Sequence, residues 1–295
     1  MITAMSRPAF GCVVLSRGDR PDDLARSVAS LLRQRDVDVD VVVVGNGWEP
    51  VGLPHGVRGH GLQTGVAIPT ARNAGASQAR GDVLLFVDDD TSLADDDALA
   101  RLGAMLAADP SLGLVQCRVE PLGGGRRSRD WIPRLRVGDP SRTSDVTAVW
   151  EGAVVMPRRV FDGVDGWPRD YPFILHEGVD LAWRVMDAGL RVRYAGDIVV
   201  QHPPAPLHPT RHAYTNYFGA RNRVWIARRH LPWPLVPVYV ATFALRTLPR
   251  MRSRAEVRDA LRGYRDGVRL PGAPRRPLRA STLWRMVRAG RPPIV

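Results

Sequence analysis

The chain has 295 residues, 44% of them apolar, enough to bury a core in one large or two small domains, so a folded chain and not a disordered one is expected. All 42 basic residues are arginine, and the absence of lysine excludes Schiff-base catalysis and the P-loop lysine. Residues 206–295 carry 19 arginines against three acidic side chains, whereas residues 1–205 carry 23 against 27; the net charge of +12 therefore belongs to the C-terminal part and predicts a polyanionic partner there, nucleic acid or an anionic membrane surface.

Phe10 to Leu15 is a short apolar strand, and beyond Gly18 and Pro21 the spacing of Leu24, Val28, Leu31 and Leu32 predicts a helix. Val37 to Val44 is a second strand, ending in the Gly45-Asn46-Gly47 turn, so the three form a βαβ unit in a parallel sheet. A polar stretch from Gly59 to Thr70 leads into a short helix at Ala71-Arg72-Asn73-Ala74-Gly75. Cys12 and Cys117 fall inside apparent strands without metal-ligand spacing and read as small buried hydrophobes, which fits a reducing compartment. The N-terminus has no basic stretch followed by an apolar run and a small-residue cleavage site, so a cytoplasmic location is expected.

The apolar run from Val83 to Val87 stops at Asp88-Asp89-Asp90. It reads as a buried strand emptying into a site at its carboxyl end, where open α/β sheets bind ligands. Strand alternation puts Asp88 and Asp90 on one side and turns Asp89 away. Two such carboxylates suit a hard divalent cation, Mg2+ or Mn2+, that also holds phosphate oxygens; the plainer reading is a solvated acidic turn capping the next helix.

Leu99, Leu102, Met105 and Leu106 mark a helix and Leu112 to Cys117 a strand, followed at 120–145 by a stretch rich in Gly, Arg, Pro and Ser without periodicity, of a length that is usually functional or mobile. Ordered pattern returns at Thr147 to Met156, with a short helix near Arg158 to Phe161. After Trp167-Pro168-Arg169-Asp170-Tyr171-Pro172, a helix is expected from Val179, closed by Gly189, and then a strand from Arg191 to Gln201 that ends at His202.

Taken in order, the Asn46-Gly47 turn, Ala71-Arg72-Asn73-x-Gly75, Gly81-Asp82 with Asp88-x-Asp90, Glu151-Gly152-Ala153, Glu177-x-x-Asp180-Leu-x-x-Arg184, His202 and Arg221-Asn222 resemble the family 2 glycosyltransferases over about residues 10–230. The resemblance implies a GT-A fold, an α/β architecture in which a Rossmann-like mixed, mainly parallel sheet is flanked by helices. It implies an inverting, metal-dependent transfer from a nucleotide-sugar donor to a hydroxyl of a lipid-linked, glycan or small-molecule acceptor. Asp88 and Asp90 then match the DxD motif, and His202 the late histidine that completes the metal shell, though a histidine after a strand is also an ordinary surface residue. Ser16, Arg17, Asn46, Arg72, Asp88 and Asp89 fall in the donor-binding set, with Arg72 adding a charge-assisted contact to the phosphates.

Two positions depart from the family pattern. Gly45 stands where the family has an aspartate placed to bond a nucleobase edge. Glu177-Gly178 stands where it has an acidic pair whose second member is the general base, so Glu177 is the nearest candidate for taking the acceptor proton. A helix N-terminus and a nearby metal should keep Glu177 ionised at neutral pH, and the same residue also reads as an acid that simply complements the helix dipole. Asp180 stands beside Glu177 as a second catalytic candidate, as the base one turn further along or by orienting the acceptor; its plainer readings are that same dipole role or holding Arg184 one turn away.

Residues 1–230 read as the catalytic domain, and 231–295 as a helical, basic C-terminal extension. Leu231 to Leu245 is uncharged but interrupted by Pro232, Pro234 and Pro237, and is shorter than the roughly 20 residues of a bilayer span. It reads as an interfacial segment with Trp225, Trp233 and Tyr239 at headgroup level, and the arginines beyond it suit anionic phospholipid at the inner face of a membrane. A basic, partly disordered tail is the alternative. Two other function classes stand beside the glycosyltransferase: a haloacid-dehalogenase-like phosphatase, disfavoured by the missing lysine, and an arginine-rich nucleic-acid binder, which leaves the acids at strand ends unexplained.

Overall fold

The computed structural model describes residues 7–125, 127–128, 131–133, 135, 138–169, 175–204 and 209–293; the Asp170-Tyr171-Pro172 stretch lies outside them. The described residues form a mixed sheet of nine strands between helices. The strands are β1 (Ala9–Ser16), β2 (Asp38–Asn46), β3 (Val57–Leu62), β4 (Val83–Asp88), β5 (Ser92–Leu93), β6 (Leu112–Pro121), β7 (Ser144–Asp145), β8 (Ala153–Pro157) and β9 (Arg191–His202). Their order is β3-β2-β1-β4-β8-β6-β9-β5, with β7 also on β9. Pairing is parallel from β3 through β4 and between β6 and β9, and antiparallel where β8 enters between β4 and β6.

Alternation along the strands divides the core between the two faces of the sheet. Cys12, Val14, Val41, Val43, Leu85 and Val87 pack on one side against α1 (Pro21–Leu32) and α3 (Ala98–Ala108). Val13, Val42, Val44, Leu84 and Phe86 pack on the other, in a cluster that takes in Ala71 and Ala76 of α2 (Ile68–Gln78), Phe161 of α4 (Arg158–Gly163) and Leu181 of α5 (Glu177–Asp187). Helix α1 starts as expected, with Pro21 in the first turn, Asp22 and Asp23 beside it, and Leu24, Val28 and Leu31 buried. Gly75 lets α2 sit close on the sheet, since a Cβ there would lie 2.3 Å from Val13 Cγ1.

Two elements differ from the sequence-based expectation. The polar stretch after Asn46 contains β3, an edge strand whose half-buried residues give no apolar run to detect. Of Thr147 to Met156, only the C-terminal part is strand; residues 147–150 are irregular and deliver Trp150 and Glu151 to the carboxyl end of β4.

Beyond β9 the chain forms α6 (Pro209–His230), α7 (Leu235–Thr247), α8 (Arg254–Arg269) and α9 (Ala280–Arg288). These residues are helical, not an unstructured tail. Ala260, Gly263 and Gly267 of α8 are buried, and the two glycines face Tyr217, Ala220 and Val224 of α6 so closely that a Cβ at Gly263 would meet the Tyr217 carbonyl at 2.3 Å. Backbone bonds of 2.8 Å from Arg276 and Leu278 to the Arg229 and His230 carbonyls fasten the next segment to the end of α6. Thr282 of α9 donates to Asp187 of α5 at 2.7 Å, and Met286 is fully buried.

Candidate active site

Strand β4 ends at Asp88, where Thr91 N bonds the Asp88 carbonyl at 3.0 Å and closes a turn. Strict alternation therefore stops one residue into the acidic run. Asp88 turns to Arg72, whose Nη2 donates to Oδ1 at 2.9 Å, while Asp89 and Asp90 both turn to Arg20, just before α1. Asp89 does not project to solvent: it is buried, 2.5 Å from Arg20, and burial pushes its pKa up to about 6 against the opposing bond from Ser16 and the charge of Arg20.

Asp90 shares its two oxygens differently. Oδ2 is held by Arg20, and Oδ1 lies 3.2 Å from His202 Nε2. Burial works to raise the Asp90 pKa, yet the bond and charge of His202, together with Arg20, bring it below the usual value. Burial likewise works to lower His202, and the Asp90 bond and charge outweigh it and raise it. His202 Nδ1 is 2.5 Å from the Pro203 carbonyl, which only accepts, so Nδ1 carries a proton and Nε2 is the nitrogen turned to the Asp90 carboxylate. Two aromatic rings confine that imidazole, Trp131 at 4.9 Å and Trp150 at 5.5 Å between centroids. Buried Gln116 ties them together, donating to the Trp131 carbonyl at 2.8 Å and accepting from Trp150 N at 2.7 Å.

The residues of this corner fit a divalent cation of the Mg2+ or Mn2+ kind. Asp90 Oδ1 is buried with His202 Nε2 as its close partner, and the 3.2 Å between them is also the separation of two ligands sharing an ion at about 2.1 Å. Among the described residues no group of three or more His, Cys, Asp or Glu converges on one point, so a metal here would need outside oxygens, as an ion held jointly by protein and phosphate does. Asp88, expected beside Asp90 in that shell, pairs through Oδ1 with Arg72 and keeps about a third of its side chain exposed.

On the other side of Arg72 lies a pair of acids. Arg72, 4% exposed, has Nη1 3.6 Å from Glu177 Oε1 and its guanidinium 4.8 Å from the centroid of the Trp167 ring. Glu177 is buried with no partner for Oε2 among the described residues. It was expected to be ionised at neutral pH; burial, reinforced by the charge of Glu151, pushes its pKa up to about 8 instead. The helix N-terminus is too weak to offset that desolvation. Glu151, half-buried, is raised by burial too, but accepts a 2.8 Å bond from Gly178 N and is opposed by Arg72. A Cβ at position 178 would lie 2.8 Å from Glu151 Oε1 and 2.5 Å from the Val149 carbonyl. Glu151 thus fills the space that a longer side chain at 178 would need.

Asp180 sits one turn further along α5 and fully inside the protein. Its carboxylate accepts from Arg184 Nε at 2.6 Å and from His230 Nε2 at 2.7 Å, and lies 3.4 Å from Arg229 Nε. Burial raises its pKa less than these partners lower it, leaving it well below the usual range. Of the other donor-set residues, Ser16 is buried at the end of β1, where its Oγ accepts from Gly18 N at 3.0 Å. Arg17 is exposed and paired with Asp19 at 2.6 Å. Asn46 donates to the Val66 carbonyl at 2.7 Å and keeps a buried Oδ1 without a partner among the described residues. At Gly45 a Cβ would meet the Trp48 carbonyl at 2.2 Å, so Trp48 and Pro50 occupy the space an acid would take.

Arg20, Glu151, Trp131 and Trp150 were not among the expected site residues. Glu151 stood in a motif without a role, and Arg20 carried only the signal of an arginine next to a helix start after a strand-end turn. The tryptophans carried none, because tertiary contact alone brings them to His202.

The sheet and flanking helices superpose on solved transferases. GalNAc-T7 with UDP, GalNAc and Mn2+ gives a TM-score of 0.62 at 14% identity over 89% of this chain, which spans only 56% of that one. TarS 1–349 of S. aureus gives 0.59 at 13% identity, over 88% of this chain and 81% of that one. The mannosyltransferase PcManGT of Pyrobaculum calidifontis, in complex with GDP-Man and Mn2+, gives 0.53 at 16% identity over 96% and 73%. At these identities the likeness establishes the fold, which is GT-A. No curated protein of similar sequence is found. The sequence model of glycosyl transferase family 2 matches residues 12–164, about half of the chain, from β1 through the DxD-like run to α4, and the chain belongs to that family.

Proposed function

We propose that the protein is an inverting glycosyltransferase that moves a sugar from a nucleoside-diphosphate donor to a hydroxyl of a lipid-linked or glycan acceptor, working at the cytoplasmic face of an anionic membrane. The observation that carries the transferase chemistry is the division of the site by Arg72. On one side stands a carboxylate–imidazole corner fit for a metal-bound diphosphate, and on the other the two acids Glu177 and Glu151, both raised by desolvation. Mn2+-bound relatives of the same fold support the metal, and donor-bound ones the nucleotide sugar.

Asp90 and His202 would hold the cation, which supplies Lewis-acid stabilisation of the leaving diphosphate. Arg72 and Arg20 lie beside the acids where phosphate oxygens would enter, and each adds fixed positive charge. The unpartnered Asn46 Oδ1 offers an acceptor to a nucleobase N–H in place of the acid missing at Gly45. As the acceptor oxygen attacks the anomeric carbon and the bond to the diphosphate breaks, the hydroxyl proton passes to the Glu151–Glu177 pair. Glu151 is the ionised member, being the more accessible of the two and bonded by Gly178 N; Glu177 holds the proton of the resting pair and is positioned by Arg72.

Calorimetric titration of nucleoside diphosphates with and without Mn2+ tests the reading. The parent should bind one nucleotide class in a metal-dependent way, and Asp90→Ala should lose that dependence without loss of fold. Failure of every nucleoside diphosphate to bind would refute it.

A further inference from the structure

We infer that the outer face of α7 is a membrane-seating surface, embedded in the headgroup layer of an anionic bilayer. This rests on the membrane reading above and not on the transfer chemistry. Trp225 and Tyr239, the anchors expected from sequence, point inward: both are buried, Trp225 under the Arg221 guanidinium at 4.3 Å and Tyr239 with its hydroxyl bonded by Arg223. A different set faces out. Pro234, Val238, Ala241 and Leu245 follow one another at helical spacing on the exposed side, and Trp233 and Pro237 widen the stripe. Leu245 is 75% exposed, Trp233 59% and Val238 44%, an apolar surface that an isolated soluble helix face has no reason to keep.

Arginines frame this stripe at both ends. Arg275 stacks on Trp233 with its guanidinium 4.0 Å from the ring centroid, and exposed Arg246, Arg250 and Arg252 follow Leu245. Helix α8, which meets α7 where Thr247 Oγ1 lies 3.5 Å from the Tyr264 hydroxyl, continues the pattern with Arg254, Arg258, Leu261, Arg265 and Val268, all exposed and at helical spacing. With 19 arginines against three acids after residue 205, positive charge there is largely uncompensated.

Apolar residues edged by cations fit a surface that is itself apolar inside and anionic outside; nucleic acid would leave the apolar stripe in water. Helix α7 lies along that surface and does not cross it. Its uncharged stretch is shorter than a span requires, and among the described residues no helix is long and apolar enough to cross a membrane.

Flotation of the full chain with phosphatidylglycerol-containing and pure phosphatidylcholine vesicles, beside nucleotide binding on the same samples, tests the assignment. The chain should float with anionic vesicles only, and less so as salt rises. Val238→Asp with Leu245→Asp should weaken vesicle binding at least roughly tenfold, and Arg246→Gln, Arg250→Gln and Arg252→Gln together on the order of 100-fold. Both sets lie on the surface, so nucleotide binding and circular dichroism should not change. Vesicle binding indifferent to the two aspartates would overturn the seating of α7. Absence of vesicle binding would overturn it too, and concentration-dependent self-association lost in the same variant would assign the stripe to a second copy. Loss of nucleotide binding in the parent would touch the enzyme reading alone.

Discussion

Helix α5 carries two acids one turn apart whose surroundings are opposite. Glu177, at its first turn, meets a single cation, Arg72 at 3.6 Å, and a second acid, and its pKa is pushed up to about 8. Asp180 is gripped by Arg184, Arg229 and His230 and stays charged far into acid. Both are buried, so burial alone does not separate them; the completeness of compensation does. A fully compensated carboxylate has no reason to exchange a proton, and its work is to fasten α5 to the end of α6. An incompletely compensated pair stays poised between protonation states, which is what a base requires.

The sharpest way to break this contrast is at the acid pair. Glu151→Gln should lower turnover by roughly 10²- to 10⁴-fold while nucleotide binding persists, the usual contribution of a positioned base. Steady-state rates beside calorimetry would check it, and parental turnover would remove Glu151 from the reaction. Asp180→Asn should act on stability instead. Breaking one partner out of a buried charge cluster costs about 3–5 kcal/mol, read from denaturant unfolding, with turnover per folded molecule close to parental. A variant of parental stability but lost turnover would move the base one turn along the helix.

The third expected effect concerns pH. Because the folded pKa of Glu177 lies above that of the unfolded chain, the folded state binds the extra proton between the ordinary value of 4.5 and about 8. Its contribution is complete below the lower value and is lost as pH rises through the higher one, so thermal midpoints should fall across that window. Glu177→Gln cannot ionise and should flatten the fall; an unchanged slope would show that Glu177 is not the group responsible. Smallest is the effect of His202→Ala, which should weaken Mn2+ binding in the presence of nucleotide by less than Asp90→Ala does, because carboxylate and phosphate oxygens remain. An unchanged Mn2+ titration would leave His202 as a packing partner of Trp131 and Trp150.

Much of this was legible before any coordinates, and for one reason: it depends on local pattern. The apolar runs that became β1, β2 and β4, the 3.6-residue spacing of α1, and the acids at the end of β4 all report the environment of a residue through its immediate neighbours. The charge asymmetry of the last ninety or so residues belongs to the same class, since counting needs no fold. Tertiary structure decided the rest. Edge strand β3 borrows its stability from β2, so its own residues carry no run of apolar side chains. Arg20 reaches Asp89 and Asp90 across nearly seventy residues, and Glu151 meets Glu177 only because β8 enters the sheet antiparallel beside β4. The raised pKa of Glu177 has no sequence signal, because only the helix terminus is visible there, while desolvation and a second carboxylate exist only after packing. Tyr239 turned inward for a related reason: which side of α7 faces water is set by what packs against the other side, here Arg223 of α6, and no pattern within the segment records it.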